Sequence, residues 1–257
     1  MLEIINLSKA FKRVKAVDGL SITVNDGEIV GLIGPNGSGK TTTILCALTI
    51  EEWDEGKILI NGLDIAKHPL KARKQLAFIP EYPDLVTGLT VWQQIEFMAR
   101  VYRVKGWQDK ALQMLKDFDL IEKKDENLDE LSKGQGQKLQ IICAFLHEPS
   151  VIFMDEPIIG MDPKGVRKLK ELIFEAKRRG ASILISSHYL TLLEELADKV
   201  VIIFKGRKVA EGPVATLRKD LASCKDGGLE EVYLEITKPL TEAEAKGAKD
   251  SEKDPEP

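Results

Sequence analysis

Gly34-Pro35-Asn36-Gly37-Ser38-Gly39-Lys40-Thr41 is the stretch whose residue types and spacing point most directly to chemistry. Its glycines let the backbone turn tightly, so that several N–H groups face one cavity. Lys40 adds a full positive charge suited to β- and γ-phosphates, and the Thr41 hydroxyl can ligate Mg2+. A second pair, Asp155-Glu156, ends the apolar run Val151-Ile152-Phe153-Met154. Two adjacent carboxylates there are costly unless they meet a cation or water. Asp155 suits Mg2+, and Glu156 suits a water that attacks the γ-phosphate in line.

The surrounding elements must bring these groups together. Ile29 to Ile33 reads as a buried strand and Thr42 to Leu48 as a helix, the strand–loop–helix context of a phosphate-binding loop. The helix N-terminus adds partial positive charge at the same place. Leu2–Leu7, Leu20–Val24 and Ile58–Ile60 read as strands. Phe11, in the loop after the first, could stack on a base, but spacing alone favours a Phe closing a small hydrophobic cluster. Lys67–Lys74 is a short helix and Leu76–Ile79 a strand, stopped by the stiff loop Pro80-Glu81-Tyr82-Pro83. A helical tract follows. Thr90 caps a helix to Arg103, and Trp107–Phe118 is a second helix with Leu112, Leu115 and Phe118 on one face. Leu131-Ser132 opens a third, marked by Leu139, Ile142, Cys143 and Leu146, whose N-terminus can hold an anion. Pro163–Arg179 and Tyr189–Ala197 read as helices, Ser182–Ile185 and Val200–Phe204 as strands. Two α/β halves around a helical tract predict a parallel sheet with a helical insertion.

The 257 residues, 43% hydrophobic and 30% charged, are ordinary for a globular chain with room for one core and an inserted lobe. A net charge of −4 gives no footprint for nucleic acid. Cys46, Cys143 and Cys224 fit neither a metal site nor a disulfide framework, so a reducing cytosol is expected. The first residues show no secretory pattern, and no run reaches the eighteen or so apolar residues of a membrane span. From Lys238 on, the chain is Pro, Glu, Asp, Lys and Ala without aromatics and reads as disordered.

Taken in order, GPNGSGKT, LSKGQ, VIFMDEP, GMD and SSH resemble the nucleotide-binding subunit of an ATP-binding cassette (ABC) transporter, over about residues 2 to 215. The resemblance implies an α/β P-loop NTPase: a RecA-like parallel core (1–82 and 150–215) with an antiparallel β subdomain, and an inserted helical subdomain (83–149). A short extension (216–237) and the charged tail (238–257) follow. It implies ATP and Mg2+ as ligands. Phe11 then lies on the adenine, Gly34 to Thr42 bind ATP, and Glu81 occupies the Q-loop position, within reach of the metal held by Thr41 and Asp155. Leu131, Ser132, Lys133, Gly134 and Gln135 form the signature that meets the opposite subunit's ATP. Glu156 is the catalytic carboxylate, Asp162 belongs to the D-loop at the dimer interface, and His188 is the switch histidine. The implied partners are a second ATPase subunit and a transmembrane permease, with the chain peripheral at the inner face of the cell membrane. Tyr82, Leu85, Val86 and Trp92 fall where a permease helix would dock.

Two residues depart from the family pattern. Lys133 replaces the first glycine of LSGGQ, placing a cation at a helix N-terminus, a cost of about 0.3–1 kcal/mol that a phosphate could offset; the side chain could equally point to solvent. Glu81 replaces the usual Gln. Both departures, and Leu229 to Leu234, are similar to the ABC type-two exporter branch. The rival reading is a soluble single-cassette ATPase acting as an assembly or scaffold factor without a permease. A small-molecule P-loop kinase is a third, opposed by the signature and His188.

Overall fold

Five-residue runs such as Ile29–Ile33 and Val151–Asp155 are buried at every position, which requires a sheet covered on both faces. The computed structural model describes residues 1–12, 14–220 and 228–239. Its larger sheet is six-stranded, ordered β10-β9-β3-β8-β7-β6. The strands are β3 (Ile29–Ile33), β6 (Leu76–Ile79), β7 (Val151–Asp155), β8 (Ser182–Ser186), β9 (Lys199–Phe204) and β10 (Arg207–Pro213). All pairings are parallel except β9–β10. Alternate residues feed two cores. Ile152, Met154, Ile183 and Ile185 face one, and Val151, Phe153 and Leu184 face the other.

The second core lies under a four-stranded antiparallel sheet, β2-β1-β4-β5. It comprises β1 (Leu2–Phe11), β2 (Val14–Val24), β4 (Glu55–Ile60) and β5 (Leu63–Asp64). The first core runs without a break into the helices between β6 and β7: α3 (Val91–Tyr102), α4 (Trp107–Asp117) and α5 (Lys133–Leu146). Thr90 caps α3 through a reciprocal pair with Gln93. The remaining helices are α1 (Lys40–Ala47), α2 (Pro69–Arg73), α6 (Pro163–Arg178), α7 (Leu190–Leu196) and α8 (Val214–Asp220), with α9 spanning 229–239.

Several expectations are corrected. Phe11 ends strand β1, paired with Val14, rather than sitting in a loop beyond it. It is 43% exposed, so it closes no hydrophobic cluster. Its ring carries the Lys9 ammonium, 4.8 Å from the centroid. On α4 the buried face is Trp107, Ala111, Met114 and Leu115, with Leu112 half-buried, because 3.6-residue periodicity rotates Leu112 off that stripe. Strand β10 and helix α8 follow Phe204 unannounced by any apolar run. Lys238 and Pro239 continue α9 instead of beginning a disordered tail; the rest of that tail, 240–257, lies outside the described residues.

Phe153, wholly buried in the middle of β7, tests the packing. Phe153→Ala should destabilise the chain by about 3–5 kcal/mol, read as a lower denaturant midpoint at unchanged slope.

Candidate functional site

The carboxyl ends of four adjacent strands, β3, β8, β7 and β6, deliver four loops to one edge of the sheet. Ligands in open α/β sheets bind there. The four loops carry Gly34–Thr41, Ser187-His188, Glu156 and Glu81. Together they line a cleft of about 760 Å³, bounded also by Phe11, Val14 and Ala16 on the β1–β2 hairpin and by Ile159.

The phosphate loop is shaped by its neighbours. A Cβ on Gly34 would collide with Ile203 O and Ser38 Oγ, and Gly39, at φ 101°, lies against Ala16 O. The Gly206 N–H donates to Ser38 O at 2.9 Å, tying the loop to the turn after β9. Lys40 Nζ donates to Gly34 O (2.6 Å) and Pro35 O (3.2 Å). Burial pushes the Lys40 ammonium pKa below its ordinary value, against the pull of Glu156 and Asp155. The charge therefore waits on two neutral acceptors within its own loop, ready for a better partner. Ser38 Oγ is buried without a hydrogen-bond partner among the described residues. An orphaned hydroxyl beside an ammonium and a helix N-terminus fits an anionic phosphate.

Asp155 and Glu156 are 5% and 8% exposed. Thr41 Oγ1 donates to Asp155 Oδ2 at 2.7 Å, and Ser186 Oγ donates to Oδ1. The hydroxyl of the phosphate loop and the aspartate of β7 are thus adjacent, a pair of oxygen donors whose chemistry fits a magnesium ion. Among the described residues no three His, Cys, Asp or Glu side chains cluster into a protein-only cage. Glu156 is held at φ 49°, a left-handed conformation uncommon for a non-glycine residue. Its Oε1 accepts from His188 N (2.8 Å) and lies 2.9 Å from His188 Nδ1; its Oε2 accepts from Ser187 Oγ (3.1 Å). Ser187 Oγ in turn accepts from Tyr189 N at 3.0 Å. Glu156 and His188 therefore act as one unit, on a hydroxyl the sequence reading did not single out.

The signature residues lie apart from this cleft: none of Leu131, Ser132, Lys133, Gly134 or Gln135 lines it, nor does Asp162. Ser132 caps α5, its Oγ accepting from Gln135 N while Gln135 Oε1 accepts from Ser132 N. Gly134 packs so tightly on Gly160 O that any side chain would clash. Lys133 is exposed, as one of its two expected positions requires, and its ammonium lies 3.9 Å from the centroid of the exposed Tyr82 ring. Asp162 caps α6, accepting from Gly165 N at 2.7 Å, and pairs with Lys138 at 2.5 Å. The hydrogen bond from Lys138 holds its carboxyl below the usual carboxylate range.

This arrangement has close relatives. A profile of the ABC transporter family matches residues 17–159. The ATP-binding protein EcsA of an ABC-type transporter in Bacillus subtilis is 37% identical over 93% of this chain and 97% of its own. This chain belongs to the ABC transporter family. The ATP-binding protein LptB of a lipopolysaccharide export system in Haemophilus influenzae is 31% identical over 84% of this chain and 91% of its own. A solved ATP-binding subunit of an ABC transporter superposes with a TM-score of 0.88 at 35% identity, covering 92% of this chain and 99% of that one. The cassette is accordingly an ATP-binding ATPase subunit of a transporter.

Within it, Ser187→Ala should lower kcat roughly 10- to 100-fold, the worth of one hydrogen bond to a charged group. Ser187→Thr, which keeps the hydroxyl, should retain most of the rate in a steady-state ATPase assay.

Proposed function

We propose that this cassette closes with a second, identical or similar one over two ATP molecules, and that closing and reopening drive a separate membrane permease that exports its substrate. The observation that carries this reading is the separation described above. The cleft holds the phosphate loop, Asp155, Glu156 and His188, but Leu131 to Gln135 lie outside it. Their helix N-terminus can hold an anion, and its first turn carries no acidic residue. Supplied across an interface, it stabilises charge only on assembly, as an arginine finger does in trans.

In the closed pair Lys40 leaves Gly34 O and Pro35 O for the β- and γ-phosphates, and Ser38 gains an acceptor. Thr41 and Asp155 would hold Mg2+, which when bound would neutralise charge on the phosphates. Glu156 orients the attacking water and accepts its proton, steadied by Ser187, while the His188 ring reaches towards the γ-phosphate. Glu81 lines the same cleft, within reach of metal and water. Phe11 offers an exposed ring for the base, and Asp162, fixed by Lys138, lies at the interface.

In this reading the permease is a separate chain and the cassette sits on its inner face; among the described residues no helix is long and apolar enough to cross a membrane. Tyr82 and Val86, 62% and 44% exposed, suit that contact. The Val86 N–H bonds Gln94 on α3, the helix that exposes Phe97 and Val101. Leu85 and Trp92 are packed inward, Trp92 with its ring 4.9 Å from Trp107, and contribute less to the surface. Export is supported by the Haemophilus influenzae relative and by the Lys133 and Glu81 departures.

Glu156→Gln should abolish turnover yet keep ATP binding, and light scattering should show a dimer with ATP and Mg2+. Wild-type turnover, or a monomer at saturating ATP, contradicts the proposal.

A further inference from the structure

Gln137 is wholly buried on the second turn of α5, five residues after the capping Ser132. Its Nε2 donates to two main-chain carbonyls, Pro80 O at 3.0 Å and Pro157 O at 3.3 Å. Pro80 immediately precedes Glu81, and Pro157 immediately follows Glu156. The β6–β7 ladder ends at the pair Ile79–Met154; beyond it the two chains diverge into their loops. The Gln137 amide bridges them at that point, so one side chain spans the gap that the sheet no longer closes.

The orientation of the amide is determined by its partners. Both neighbours are carbonyls, which only accept, so the nitrogen must face them. Gln137 Oε1 is then left buried without a partner among the described residues. A buried unpaired acceptor is unfavourable, and a methionine of similar length would avoid it. The amide nonetheless occupies the one place where its two donors tie both loops.

We propose that Gln137 is a positioning residue for hydrolysis. It fixes the spacing of the Glu81 and Glu156 loops and transmits to them the movement of the signature, because Ser132 and Gln137 ride on one rigid helix. A phosphate captured at Ser132 in the closed dimer pulls on α5, and the amide carries that displacement to the backbone on either side of the catalytic cleft. Glu156, already at φ 49°, has little freedom to absorb it other than by reorienting its carboxylate. The inference rests on Glu156 being the hydrolytic carboxylate.

The test compares Gln137→Met, which keeps length and loses both donors, with Gln137→Asn, which keeps the amide but shortens its reach. In each, kcat should fall at least about tenfold, consistent with the loss of one or two hydrogen bonds, while KM for ATP stays within about threefold. Hydrogen exchange should quicken at residues 81–82 and 156–160 together and stay unchanged at 38–43, a pattern that general destabilisation would not give. Wild-type kcat in either folded variant, or exchange that quickens at 38–43 as much as in the two loops, overturns the inference. Glu156→Gln is assayed alongside. If it turns over ATP normally, the hydrolytic reading itself has failed; if it is inactive while Gln137→Met is normal, only the role of Gln137 has.

Discussion

Two carboxylates buried side by side at the end of β7 are the constraint on which the site depends. Asp155 and Glu156 together cannot be taken out of water without compensation. Each is compensated differently. Asp155 receives two hydroxyls, from Thr41 on the phosphate loop and Ser186 on the neighbouring strand. Glu156 receives the hydroxyl and main-chain N–H of the loop after that same strand. The nearest full positive charge, Lys40, makes its hydrogen bonds to carbonyls of its own loop instead. The pair is therefore satisfied by neutral donors and short of cationic charge, the condition in which a divalent cation and an anionic substrate are welcome together.

Strand order follows from the same need. With β8 between β3 and β7, the serines that follow its apolar core fall between the phosphate loop and the carboxylates. A different order would leave one carboxylate without its hydroxyl. The helical lobe is fastened to this edge from the other side by Gln137, by Lys138 on Asp162, and by Gly134 on Gly160 O. All three lie in the first turns of α5 or against them. The lobe and the catalytic edge are therefore fastened together although they belong to different stretches of chain.

What the sequence made legible was local or periodic. The phosphate loop is eight consecutive residues whose types carry their own chemistry. Strands buried on both faces reveal themselves as unbroken apolar runs, which is why β3, β7, β8 and β9 were readable with nearly correct ends. Strand β10 was not: at the sheet edge its residues, RKVAEGP, are mostly exposed and carry no alternating signal. The full length of β1 and β2 was hidden similarly, because Lys9 to Phe11 and Val14 to Ala16 form a half-exposed hairpin, and this misplaced Phe11. The roles of Ser187 and Gln137 were hidden for another reason. Their partners lie 31 and up to 57 residues away, so although Ser187 stands in the SSH run, nothing near either residue in sequence shows what it binds. The only trace of Gln137 is its position four residues before Ile141, on a buried helical face.

The central claim is that each ATP site is completed by the other chain. The direct measurement is specific ATPase activity against protein concentration at saturating ATP and Mg2+. Completion in trans predicts activity per molecule that rises from near zero in dilute solution to a plateau as the dimer forms. Activity per molecule that stays constant on dilution would show that one chain hydrolyses ATP alone, and would contradict the account.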